Sequence, residues 1–133
     1  MNDLIRKIAE IEKSLSEEKG NFKLFAVFSK KNIEGLWDIV ISADWMKNER
    51  EGLDCISRKL TKELSIKEIV KISRIVYLDV NEKFVHAMNT MFNVKDHDLI
   101  EIENRDINGI LVVKGYVLAC QTGVSRSERV GQV

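Results

Sequence analysis

Residues 99–120 read LIEIENRDINGILVVKGYVLAC, and this stretch decides the fold class. Leu99 to Glu103 alternates apolar with acidic residues. Asn108 and Gly109 follow, the dipeptide that most readily takes positive φ at both positions. Ile110 to Cys120 is then a long apolar run interrupted by Lys114 and Gly115. Alternation, an Asn-Gly turn and a second β-prone run specify a β-hairpin.

A second hairpin lies near the other end of the chain. Phe22 to Ser29 is apolar on both alternating faces, with Leu24, Ala26 and Phe28 on one and Phe25 and Val27 on the other, as in a strand covered from both sides. Lys30 to Gly35 supplies a turn, and Leu36 to Ala43 alternates Trp37, Ile39, Ile41 and Ala43 against Leu36, Asp38, Val40 and Ser42. Ile72 to Leu78 reads as one further strand.

Helices fill the intervals. Leu4, Ile8, Ile11 and Leu15 recur at helical spacing from Asn2 to about Glu18, and Gly20 with Asn21 stops that helix. A second helix is expected from about Met46 to Leu64, capped by Asp44, with Leu53, Ile56, Leu60 and Leu64 as its apolar stripe. Ser65 to Lys71 is open between another helical turn and a loop. Asp79 or Asn81 is expected to cap a third helix that ends near Phe92 and faces inward through Phe84, Val85, Met88, Met91 and Phe92. The fold expected is therefore α+β: a mixed five-stranded sheet with two β-hairpins and three helices, in the order α-β-β-α-β-α-β-β. Residues 1–120 form one domain in this reading, with the two most apolar strands near the sheet's middle and the Glu101/Glu103 strand nearer an edge. Residues 121–133 read as a disordered tail of polar and small residues.

Composition limits the function classes. The chain has 133 residues, 44% of them hydrophobic and 32% charged, which is ordinary for a globular domain. Lysine plus arginine equals aspartate plus glutamate at 21 each, so no net charge draws the protein to nucleic acid or to an anionic membrane. Met1 to Lys7 carries no apolar run of signal-peptide length, and no later stretch reaches the roughly 20 apolar residues of a membrane span. A cytoplasmic location follows as the expectation. Cys55 and Cys120 have no metal-type spacing and are expected to be buried thiols.

Motifs for nucleotide and acyl chemistry are missing from the sequence: it has no GxSxG, no GxxxxGK[ST] and no GxGxxG. The best constellation for catalysis is positional. Asp44 follows the second strand, Asp79 follows the third, and Glu82 and His86 stand four apart on the next helix; carboxylates with one imidazole suit a divalent metal and hydrolysis. If the two strands are parallel, these side chains gather outside their carboxyl ends. Lys95, Asp96, His97 and Asp98 form a second polar cluster, which fits a solvated loop and matches no zinc or EF-hand pattern. A nuclease set would need an acid such as Asp38 with Glu101, Glu103 and Lys114 brought together across the last hairpin. Lys23, Lys30, Lys31, Arg126 and Arg129 are the candidate phosphate contacts.

The leading expectation is a noncatalytic interaction or regulatory domain that self-associates, with no cofactor. Its first-helix stripe is expected to pack on the protein's own sheet, with a homodimer seam as the other option, and Trp45 is the candidate surface anchor. The alternatives are a small metal-dependent hydrolase or nuclease using Asp44, Asp79, Glu82 and His86, with a divalent metal as cofactor, and a nucleic-acid accessory protein.

Overall fold

A computed structural model describes residues 3–30, 33–94 and 99–121. Among the described residues five strands join one sheet: β1 (Leu24–Ser29), β2 (Trp37–Ser42), β3 (Ile72–Tyr77), β4 (Ile100–Ile107) and β5 (Ile110–Cys120). Their spatial order is β3-β2-β1-β5-β4. β1 lies antiparallel to both β2 and β5, β4 lies antiparallel to β5, and β3 runs parallel to β2. Both expected hairpins are present, the two most apolar strands are neighbours in the middle, and the acidic strand β4 is an edge.

Burial explains this order. Leu24, Phe25, Ala26 and Val27 are all fully buried, so β1 has no wet face and belongs between two covering layers. At the second hairpin, Asn108 and Gly109 adopt φ of 53° and 82°, and the Gly109 N–H donates to the Asp106 carboxylate at 3.0 Å. Two consecutive positive-φ residues are the backbone that a tight two-residue hairpin needs to match strand twist.

Helix α1 (Asp3–Lys19) buries Leu4, Ile5, Ile8, Ile11 and Leu15. It packs with α2 (Glu49–Glu63) on one sheet face, over Phe25, Val27, Ile39, Ile41 and Leu118. The stripe thus packs on the protein's own sheet, the favoured expectation, and is not left free as a dimer seam. On the opposite face α4 (Lys83–Met91) sets Val85 and Met88 against Leu24, Ala26, Val40 and Val117. Among the described residues no helix is long and apolar enough to cross a membrane.

The helices depart from expectation in number and in their caps. A fourth, one-turn helix, α3 (Ile66–Ile69), occupies the stretch that was open, held by a reciprocal capping box between Ser65 and Glu68. α2 is capped by Asn48, whose side chain accepts from the Glu51 N–H at 2.9 Å, and not by Asp44. The reason is packing: Met46 is buried and its N–H turns back to the Ala43 carbonyl, so residues 43–46 round the sheet end before the helix begins. Neither Asp79 nor Asn81 caps α4. The Asp79 carboxylate accepts from the Asn81 N–H at 2.9 Å in a local turn, and Glu82 takes the cap position without a side-chain capping bond.

Trp45 is half-buried, and its indole N–H donates to the Gly20 carbonyl at 2.9 Å while its ring meets Phe22 edge to face. It clamps the end of α1 in place, which corrects its reading as a surface anchor. Gly20, at φ 125°, sits so close beneath that a Cβ there would stand 3.2 Å from the indole. Of the two cysteines Cys120 is fully buried, but Cys55 is only partly so.

The α1 and α3 segments are joined by Lys7 Nζ and Glu68 Oε2 at 2.8 Å. The Lys7 ammonium, followed by the Ser65 backbone N–H, holds the Glu68 carboxyl down at about 2. A carboxyl depressed on folding contributes stability above its unfolded value, and that contribution is lost as pH falls toward the folded one. Glu68→Gln should therefore lower the urea midpoint at pH 6 and lose less further stability than the parent on acidification from about pH 4.5 to about 2. Added salt should shrink the difference, since the pair is near the surface.

Candidate functional site

The two faces of the sheet are covered unequally. α1 and α2 run to 17 and 15 residues, whereas α4 has 9 and covers only part of its side. What it leaves open is a groove of about 960 Å³, floored by β1, β2 and β3 and closed at its sides by the start of α4 and the tip of the β4–β5 hairpin.

Strand alternation builds the floor. Asp38 and Val40 on β2 share a face with Arg74 and Val76 on β3, and the register sets Asp38 beside Arg74 and Val40 beside Val76. On the other side Asp38 is opposite Phe28 of β1. Phe28 in turn lies against Phe84 of α4, ring centroids 6.1 Å apart at 82°. Gly115 of β5 makes room for that ring, because a Cβ there would come within 2.5 Å of the Phe28 Cδ1.

The hairpin reaches over the groove because its alternation is interrupted. Ile102 and Ile107 are both buried on the α4 side although they stand five positions apart, an odd spacing that strand alternation would put on opposite faces, and the same holds for Val112 and Val117. The interruption falls at Asn104, whose φ is 48°, a position open to Asn more readily than to branched residues. The twisted tip then brings Ile110, Leu111 and Val112 to the groove's edge, with Ile110 and Leu111 more than half exposed.

One ion pair marks the floor. Arg74 Nε stands 3.2 Å from Asp38 Oδ2, with the arginine side chain 65% exposed and the aspartate 13%. The second carboxylate oxygen, Asp38 Oδ1, is buried without a hydrogen-bond partner among the described residues. Lys30 also lines the groove, and Asp79, Glu82 and Lys83 stand at the α4 end.

The expected catalytic residues are divided by this geometry. β2 and β3 are parallel, so Asp44 and Asp79 do follow the carboxyl ends of parallel neighbours. Asp79 and Glu82 both line the groove. Asp44 is largely exposed and lies 3.9 Å from Lys23, just ahead of β1. His86 is exposed one turn beyond Glu82, its N–H donating to the Glu82 carbonyl at 3.1 Å, and it is not part of the groove lining. Among the described residues no three histidine, cysteine, aspartate or glutamate side chains meet in a way that could hold a metal ion. Glu103 and Lys114 are opposite each other across β4 and β5, on the far side of β1 from Asp38. The cluster 95–98, Lys31, Arg126 and Arg129 lie outside the described residues.

Neither thiol is primed as a nucleophile. Burial pushes Cys120 up to about 12 and raises Cys55 as well, so both stay protonated near neutral pH.

Comparison with protein-family models, with curated proteins and with solved structures finds no match for this chain.

Arg74 was not among the residues marked by motif or position. Its signal was the strand pattern: in Ile72 to Leu78 it shares a face with Val76 and Leu78, so one cation stands in an otherwise apolar row. Gly115→Ala tests the floor. It should cost about 1–3 kcal/mol by overpacking against Phe28, read as a lower urea midpoint with an unchanged slope.

Proposed function

We propose that this chain is a noncatalytic binding domain of interaction or regulatory type, whose ligand occupies the groove between α4 and the β4–β5 hairpin. The carrying observation is the groove itself: about 960 Å³, walled by Phe28, Val40, Val76, Leu78, Phe84 and Ile110, with a few polar groups at defined points. Small-molecule sites have that size and that mixture of apolar walls with sparse polar contacts. A hydrolase built on Asp44, Asp79, Glu82 and His86 draws less support, since Asp44 faces Lys23 and His86 is not in the lining. A nucleic-acid role draws less still: Lys23 is beside Asp44, and Lys30 is in a groove that also holds three carboxylates, Asp38, Asp79 and Glu82.

Self-association is part of the same proposal, through the β3 edge instead of α1. β3 is an outer strand, and Ile66 and Val70 beside its start are 81% and 66% exposed. An unpaired strand edge with apolar neighbours is a template for pairing with a second copy. The cytosolic setting rests on two unpaired thiols.

Two measurements test this reading. Nile red, a neutral apolar dye, should brighten on binding the native chain, and Val76→Trp, which fills the floor from an edge strand, should abolish the signal while leaving the circular dichroism spectrum unchanged. Persistence of the signal in that variant rules the groove out as the binding site. Light scattering should give a dimer mass that Ile66→Lys with Val70→Lys reduces to the monomer; a parent monomer at all concentrations defeats the self-association claim.

A further inference from the structure

The polar pair on the floor says which chemistry the groove accepts. Asp38 is shielded: its side chain is 13% exposed and its unpartnered oxygen is out of contact with solvent. Arg74 is the reachable half, two-thirds exposed, with its Nε 3.2 Å from Asp38 Oδ2. A guanidinium that meets a carboxylate at Nε still carries the N–H groups of its two terminal nitrogens for an incoming acceptor. Planar, paired donors of this kind match a carboxylate in bidentate geometry.

The surroundings narrow the choice further. Lys30 adds a second cation to the lining, whereas Asp79 and Glu82 are near the start of α4, across Val76 and Leu78. Arg74 to Leu78 spans about 13 Å of strand, and the residues that face the groove between those ends are apolar. Among the described residues three cations and three carboxylates line the groove, Lys30, Arg74 and Lys83 against Asp38, Asp79 and Glu82. That balance offers little to a multiply charged phosphate and suits one negative charge placed at Arg74.

We propose that the groove receives a small amphipathic carboxylate, its acid group on the free edge of Arg74 and its apolar body along Val76, Val40 and Phe84 toward α4. The assignment rests on the groove being the binding site and adds the class of ligand. In it Asp38 is a positioning residue that aims the guanidinium, and Lys30 supplies longer-range attraction.

The test compares three probes of equal length on the full chain by titration calorimetry: decanoate, decanol and decylamine, each below its aggregation concentration. Decanoate should bind about tenfold or more tighter than decanol, the gain expected of charge-assisted hydrogen bonds, and decylamine should bind no better than decanol. Arg74→Gln should bring decanoate down to the decanol level and leave decanol unchanged, while Arg74→Lys, which keeps a cation beside Asp38, should retain part of the preference. Decylamine binding as well as decanoate, or an unchanged decanoate affinity in Arg74→Gln, overturns the proposal. Equal binding of all three probes that is lost in Val76→Trp overturns the carboxylate assignment and leaves the groove as the site. Failure of all three to bind overturns both.

Discussion

The complete burial of Leu24 to Val27 in β1 is the constraint on which the rest of the structure depends. Leu24 to Val27 expose nothing on either side, so both faces of this strand must be covered and both of its edges paired. Pairing is met by β2 on one side and β5 on the other. Covering takes two layers, α1 with α2 on one face and α4 on the other. Each layer buries side chains that cost about 2–5 kcal/mol apiece when cut back to alanine, and most of the net stability of a domain this size is the surplus of such terms over chain entropy. The chain therefore cannot shed either layer and keep β1 in place.

The two layers differ in reach, and that difference makes the groove. At 1.5 Å per residue, α4 is about 14 Å long against about 26 Å for α1. A helix that short covers β1 and reaches Val40 of β2 but leaves Arg74 on β3 open to solvent. That open part is where the residue pattern changes character: β3 exposes Arg74, and β2 carries Asp38 in a row that continues into Val40. The positive φ at Asn104 belongs to the same design, since it tips the far hairpin toward the uncovered area and turns a flat sheet face into a walled one.

How much of this was legible in the sequence follows from the range of the interactions involved. Strand existence and hairpin pairing are local: Asn108-Gly109 and the two-sided apolar run Phe22 to Ser29 carry their own instructions, and the α+β order with its central and edge strands follows from them. Caps were less legible because they depend on where packing lets a helix begin. Asp44, Asn48, Asp79 and Asn81 are all good capping residues by type. The choice of Asn48 was made by Met46 and Trp45, which are drawn to the core and to Gly20. The site was the least legible part. Asp79 and Glu82 were marked by position, yet Asp38 and Arg74 meet only through a parallel pairing across 36 residues of chain, with a register shift between Trp37 and Asp38 that no local pattern announces.

The Asp38–Arg74 pair also runs against what the sheet alone would favour. An exposed ion pair contributes about 0–1 kcal/mol, while a buried carboxylate oxygen left without a donor costs about 1–3 kcal/mol. An apolar residue at position 38, flanked by Phe28, Val40 and Val76, would extend the packed row without that penalty. Local disagreement between a residue and its surroundings is expected where a site answers to something other than stability. Here the disagreement coincides with the floor of the groove and with the point where an exposed guanidinium meets a shielded carboxylate. The cost of Asp38 is thus set against what it does at Arg74: it places a carboxylate 3.2 Å from an exposed cation within apolar walls, where an attractive contact is screened less than it would be in open water.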